Sequence, residues 1–540
     1  MSDFDRLAQD FLDAEMAANP VMATGVGLPG HDDELPDLTE GGIAALRRDE
    51  EEWRRRFGAL ADADLTDDER LDRDLVLASL RRRAVMRDDW QEWRRAADTY
   101  AGPVLNGVFL LFLHRLRPEP ELVTSAAARL RAAPELLAAG RDNLDPELVA
   151  PVLARRALGQ ARGAVGYLRD GLLHGVDDEG ARRALAGAGE QAATAFEGYV
   201  TFLEGLVEKA RGDFAFGAER YSTVLREAEG LDYGVGGLHQ RGLDAYDELA
   251  AEMARLTKDI GGGDDWRGLL GRLNDDHPGT PEEMLASYVD WTSKARAFGY
   301  EHGLVSEPAG ESCDVIPSPA FQRATLAVAS YMRPPAFAER STGTFFVPFP
   351  PDGATPEQVQ QRLATNSHWT MPSVAVHEAY PGHHWHFARL QAANRRPLRQ
   401  ILGTSYFIEG WALYAERLLR EHGFFTDPRQ ELCHIDMRLF RAARIIVDTA
   451  LHTGEMTVEE ATDFMSTKAS LSRETAAAEV ARYCAWPTQA ASYLTGAMEI
   501  QRMRDEWVRG GGDLREFHDA LCGSGMLPIG LAERALRVGR

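Results

Sequence analysis

Four of the fifteen histidines of this 540-residue chain fall within ten residues, in the run Val374-Ala375-Val376-His377-Glu378-Ala379-Tyr380-Pro381-Gly382-His383-His384-Trp385-His386. An apolar approach delivers a His-Glu pair onto what should be a buried helix. That is the chemistry of zinc hydrolases, in which imidazoles bind the metal and the glutamate beside the first one polarises a water. In the His-Glu-x-x-His form the second imidazole comes four residues on, but here that position is Pro381. A straight helix would carry His383 roughly 9 Å further along its axis, too far to share a metal with His377 at ~2.1 Å. The helix must therefore deform. Pro381 removes a backbone donor and Gly382 admits unusual dihedrals, so a kink or bulge that returns His383 toward His377 is expected, with His384 as its substitute. The competing reading is a kinked core helix whose histidines are satisfied by hydrogen bonds.

A third ligand is available 32 residues after His377, where Glu409 opens the apolar stretch Tyr406-Phe407-Ile408-Glu409-Gly410-Trp411-Ala412-Leu413-Tyr414-Ala415-Glu416. An unpaired carboxylate there would be costly to desolvate, and a divalent cation would compensate it. One carboxylate with two neutral imidazoles suits Zn2+ better than magnesium or calcium. Glu378 is then the general base and not a ligand. Glu416, two turns beyond Glu409 on the same face, reads as solvated or arginine-paired in preference to a support for a metal ligand.

Other motifs carry less. Gly25-Val26-Gly27-Leu28-Pro29-Gly30 matches G-x-G-x-x-G, but no strand precedes it and Pro29 interrupts it, so nucleotide binding is not expected. The 84 acidic residues supply too many chance carboxylate pairs for glycosidase spacing to mean anything. Against 60 Lys and Arg they give a formal net charge of −24, which argues against nucleic acid as a partner. The four cysteines, Cys313, Cys433, Cys484 and Cys522, form no Cys-x-x-Cys pair, and a reducing cytoplasm fits them. The longest apolar runs, such as Val108 to Leu113, are far short of a bilayer span, and Met1-Ser2-Asp3-Phe4-Asp5 opens without a basic-then-apolar leader, so no membrane segment or export signal is expected.

The elements that must position these residues are mostly helical. Leu71 to Met86, Ser125 to Ala133 and Glu190 to Gly212 carry apolar residues at three- and four-residue intervals, the last two stopping before Pro134 and at Gly212. Gly30 to Glu34 and Gly261 to Asp265 read as surface joints. The one strand signal is Gly343-Thr344-Phe345-Phe346-Val347-Pro348-Phe349, which Pro348 confines to a sheet edge or a strand end. The expected fold is mainly α, a large helical assembly split by a deep cleft, with one small β-sheet. It is read as a single unit over 1–540, with a helical N-terminal half at 1–290 and a metal-site half at 291–540.

Several motifs together resemble a bacterial family known as domain of unknown function 885. They are His377-Glu378-x-x-Pro381-Gly382-His383, Glu409-Gly410-Trp411-Ala412, Arg482-Tyr483 with Pro487-Thr488-Gln489-Ala490-x-x-Tyr493-x-x-Gly496, and Phe517-His518-Asp519-x-Leu521. The resemblance covers essentially the whole chain and favours His383 over His384 as ligand. It implies a fold similar to helical zinc carboxypeptidases of the Taq type, and a metallopeptidase activity. It also implies that the 482–496 segment folds back onto the cleft, with Tyr483 as first choice for stabilising the developing oxyanion, Tyr493 as second, and Arg482 as a grip on a substrate carboxylate. Two departures are visible: His386 stands where the family usually has Gln, and Thr488 where it usually has Gly. The expected function is a zinc hydrolase acting on small peptides, with the 343–349 edge strand beside the metal binding an extended substrate by strand addition. A biosynthetic enzyme acting on a small amide, and a metal-free binding or scaffold protein, are the alternatives from other classes.

Overall fold

Alanine- and leucine-rich segments of the first 216 residues form long helices whose small faces allow close approach. The computed structural model describes residues 2–538 apart from 262, 264, 320–322, 324–327, 339–341 and 352. Its contacts group into two units, one of residues 1–216, 319–321 and 334–340, the other of residues 217–318, 322–333 and 341–540. The second unit thus takes in residues 217–290, which the sequence reading placed in the N-terminal half.

In the first unit, helices Glu119–Asn143, Pro151–Arg169 and Glu179–Lys209 share one apolar core. Ala126, Ala154, Ala161 and Ala192 are fully buried there, where any larger side chain would force the helices apart. The expected stop before Pro134 is corrected, because the helix runs through that proline to Asn143. Packing of Leu130, Ala133 and Leu137 on both sides outweighs the one lost backbone bond. The Gly25–Gly30 segment follows helix Pro20–Val26 and no strand, and Gly27 ends that helix in the left-handed region at φ +85°. Around it the carbonyls of Pro20, His31 and Glu34 are taken by the fully buried Arg129. Its role is structural. Among the described residues no single helix is long and apolar enough to cross a membrane.

The second unit carries the one sheet found among the described residues. Strands β1 (Ser312–Pro317), β2 (Ser330–Met332) and β3 (Thr342–Val347) lie in the order β1-β3-β2, with β1 parallel and β2 antiparallel to β3. Of the two places expected for Pro348 the strand end holds, since it falls just after the last residue of β3, whereas the expected open edge does not, because β3 is the centre of the sheet. Proline forbids a central position only inside a strand, not beyond its end. Helices Gly234–Ile260, Pro428–Thr453, Ser405–Glu421 and Gln489–Arg509 make up much of the remaining body. Of the expected joint at 261–265, Gly261 caps the 234–260 helix and Asp265 caps the next, while Gly262 and Asp264 lie outside the described residues.

Candidate metal centre

The His377 helix, Met371–Glu378, does not bend but stops, and a new helix begins at His383 and runs to Ala392. Between them the chain turns through a cis Tyr380–Pro381 peptide. Gly382 sits so close beneath the first helix that a Cβ would lie 2.0 Å from the His377 carbonyl oxygen and 2.2 Å from that of Val376, so only glycine fits. Its N–H donates to the Val376 carbonyl at 3.1 Å, and Trp411 Nε1 donates to the Pro381 carbonyl at 2.8 Å from the neighbouring helix. This break returns His383 to His377, with ring centroids 4.8 Å apart and planes at 87°.

Glu409 comes from helix Ser405–Glu421, which meets helix Gln489–Arg509 at a glycine pair. A Cβ on Gly496 would lie 1.8 Å from the Tyr406 carbonyl oxygen, and one on Gly410 2.7 Å from Gly496. With these helices in place, one ligand atom from each of His377, His383 and Glu409 lies within 4.8 Å of the others. Glu409 Oε2 is 3.6 Å from His377 Nε2 and 3.5 Å from His383 Nε2. Those spacings are long for hydrogen bonds but match the roughly 3.4 Å edge of a tetrahedron with ~2.1 Å metal bonds.

Glu416 is fully buried and accepts the Nδ1–H of His377 at 2.7 Å, so Nε2 faces the cluster and presents a lone pair there whenever the ring is neutral. The expectation of a solvated or arginine-paired Glu416 is thereby corrected. Its other oxygen accepts from Ser373 Oγ at 2.6 Å and lies 3.2 Å from His434 Nδ1. Burial disfavours charge on His377, yet the Glu409 and Glu416 carboxylates outweigh it and push its pKa up to about 10. For Glu409 and Glu416 burial acts upward and the imidazoles outweigh it, holding both carboxyls well below the ordinary range. Glu378 goes the other way. Burial raises its pKa against the pull of the two histidines, and the Tyr331 backbone N–H from β2 reaches its carboxylate.

All four residues line one cavity of about 570 Å³ in the second unit, together with Ser330 and Tyr331 of β2 and with Arg441, Arg444 and Tyr493. The strand beside the cluster is thus β2, a three-residue edge, in place of 343–349.

The remaining sequence candidates divide. Tyr493 lines the cavity, but Tyr483 and Arg482 do not. The fully buried Tyr483 donates its hydroxyl to Glu479 at 2.7 Å and accepts from Arg444 Nε at 3.1 Å, while Arg482 is spent on Glu479 and Gln489. Placing those two on the cavity wall is corrected, since Tyr483 bonds to Arg444, which itself lines the cavity, and Arg482 shares Glu479 with that arginine. His384 binds Glu311 through Nε2 at 2.7 Å and Tyr331 through Nδ1 at 3.1 Å, away from the cluster. Glu311 also accepts from Tyr380 at 2.5 Å, and these bonds outweigh burial to hold its pKa down to about 2. His386 is fully buried against Phe387 and Phe407, where burial drops its pKa to about 3 and keeps it neutral, and it lies outside the group of donors close enough to share a metal. Thr488 adopts φ +72°, the region where glycine is at ease and a β-branched residue is strained, which fits the glycine that the resemblance implies there. Sequence reasoning missed Arg441, Arg444 and Glu311; among so many arginines and acids no local signal marks them.

The fold and the donor set define a mainly helical protein with a buried cluster of two imidazoles and one carboxylate. The chain belongs to the family described as "Bacterial protein of unknown function (DUF885)", whose model matches residues 20–536. Two solved structures share its fold over nearly their whole length. One, titled a "putative lipoprotein of unknown function" from Shewanella oneidensis, is 21% identical with a TM-score of 0.81, covering 99% of this chain and 100% of that one. The other, titled a "putative lipoprotein" from Colwellia psychrerythraea, is 20% identical with a TM-score of 0.86, covering 99% of each chain. No curated protein matches.

Proposed function

We propose that the protein is a zinc-dependent hydrolase that cleaves amide bonds in small peptides, in the manner of a carboxypeptidase. The observation that carries this reading is the convergence of His377, His383 and Glu409 in a cavity whose wall also holds Glu378. The donor set fits zinc, with His377 fixed in the right tautomer by Glu416. Zinc bound there would supply Lewis acidity for the carbonyl and a water of lowered pKa. Glu378 would take the proton of the attacking water and pass it to the leaving nitrogen, a task favoured by its raised pKa. The Tyr493 hydroxyl would stabilise the oxyanion, and Arg441 would face a negatively charged substrate group. Among the described residues Arg441 has no ion-pair partner, and its buried Nε lacks a hydrogen bond. A cavity of about 570 Å³ has the size of a small-molecule site, which suits short peptides.

The likeness to Taq-type zinc carboxypeptidases belongs to this proposal and rests on the motif residues. So does a cytoplasmic location, against which the lipoprotein names of the two solved relatives speak; fractionation of the native host decides it.

Metal analysis and kinetics on short peptides test the function. Wild-type protein should carry about one zinc per chain, and His377→Ala and Glu409→Ala should lose it. Glu378→Gln should keep metal and fold but lose hydrolysis by about 10² to 10⁴. Full occupancy in both ligand variants, or unchanged turnover in Glu378→Gln, overturns the reading.

A further inference from the structure

A second cavity of about 750 Å³ shares no lining residue with the metal cavity. It is walled by helices Gly234–Ile260, Ser405–Glu421, Pro428–Thr453 and Gln489–Arg509. Its other arginines are tied to carboxylates, Arg417 to Glu421, Arg420 to Glu252 and Arg241 to Glu499, at 2.6–2.7 Å. Arg438 is not. It is 6% exposed, has no ion-pair partner among the described residues, and makes one long bond, to the Leu413 carbonyl at 3.3 Å. Burial lowers its pKa to about 10, so it still carries its charge at neutral pH. A buried charge left this way costs free energy unless something completes it.

One helical turn earlier on the same helix, His434 forms part of the same wall. Its Nδ1 faces Glu416, which as a carboxylate can only accept, so the proton sits on Nδ1. Nε2 is then a bare acceptor, buried and without a partner. The wall thus carries a guanidinium for a carboxylate and, one turn away and fully buried, an unpaired acceptor for a donor. Around them lie Leu249, Leu494 and Met498. Asp244 and Glu248, both exposed, add negative charge that repels multiply charged anions.

We propose that this cavity binds a free α-amino acid with an apolar side chain, its carboxylate on Arg438 and its ammonium on His434 Nε2. The site stands independently of the hydrolase reading. It touches the metal cluster through one residue, since Glu416 bridges His434 and His377.

Calorimetry with leucine tests it, using 4-methylpentanoate and 3-methylbutylamine as analogues that each lack one of the two groups. Leucine should bind saturably, one per chain. Both analogues should bind more weakly by about ten-fold or more, as should leucine itself to Arg438→Met and to the cavity-filling Leu249→Trp. Arg441→Met, altered in the metal cavity, should bind leucine like wild type. The proposal fails if no saturable heat appears at millimolar leucine, or if an analogue binds as tightly. It also fails if Leu249→Trp binds unchanged, or if Arg441→Met loses the heat instead. Should Arg438→Met fail to fold, Leu249→Trp on the 234–260 helix carries the test.

Discussion

Arg129 in the first unit and the His377–His383–Glu409 cluster in the second are both buried and both polar, yet their bonding differs. Every nitrogen of Arg129 has a partner: Nε donates to the Glu34 carbonyl, Nη1 to that of Gly107, and Nη2 reaches the Pro20 and His31 carbonyls and Thr24 Oγ1. The His377–His383–Glu409 cluster instead holds its facing atoms beyond good hydrogen-bond distance and has the half-satisfied Arg441 in the same cavity. Burying a polar group without a partner costs about 1–3 kcal/mol. A chain that satisfies Arg129 so fully in one place and holds polar groups apart in another has the bonding that the proposed metal and substrate sites would require.

The sharpest way to break this contrast lies in two adjacent residues. His383→Ala should abolish stoichiometric zinc binding, whereas His384→Ala, which removes a satisfied histidine, should retain zinc and lower only thermal stability; metal loss in both would erase the distinction. Next in size is Arg129→Met. It deprives four backbone carbonyls of a buried donor and should cost about 3 kcal/mol or more by denaturant unfolding, with zinc content per folded chain unchanged. A smaller effect separates the two tyrosines. Tyr493→Phe should depress kcat by tens- to hundreds-fold with KM little changed, while Tyr483→Phe, whose hydroxyl is occupied by Glu479, should alter stability alone. The same kinetics with the tyrosines exchanged would return the oxyanion role to Tyr483. The smallest concerns Glu416→Gln, which should weaken zinc affinity by about 10–100-fold in a chelator competition without removing any ligand.

Much of the cluster was legible because its signals are local. His377, Glu378 and Pro381-Gly382-His383 sit in one run, and the impossibility of a straight helix follows from rise per residue alone. Glu409 was legible because a carboxylate at the head of an apolar helix demands compensation. Glu416 was not, since a buried carboxylate and a solvated one look alike until the partner, three helices earlier in the sequence, is in place. The position of β3 was misread for a similar reason: β2 is three residues long and leaves no pattern, so nothing in the sequence shows that a second neighbour covers that strand. Tyr483 and Arg482 were misplaced because Glu479, one turn earlier, captures them both.

The glycine pair at 410 and 496 limits how this protein can change over evolutionary time. A glycine inside a helix forgoes about 1 kcal/mol of propensity relative to alanine, so exchanging both should be the cheapest route to a hardier protein. Here that route is closed, because the first methyl group would drive Tyr406 and Gly496 apart and carry Glu409 and Tyr493 with the two helices. Lineages that move to hotter habitats must therefore find their added robustness elsewhere in the chain, and this crossing point should drift least.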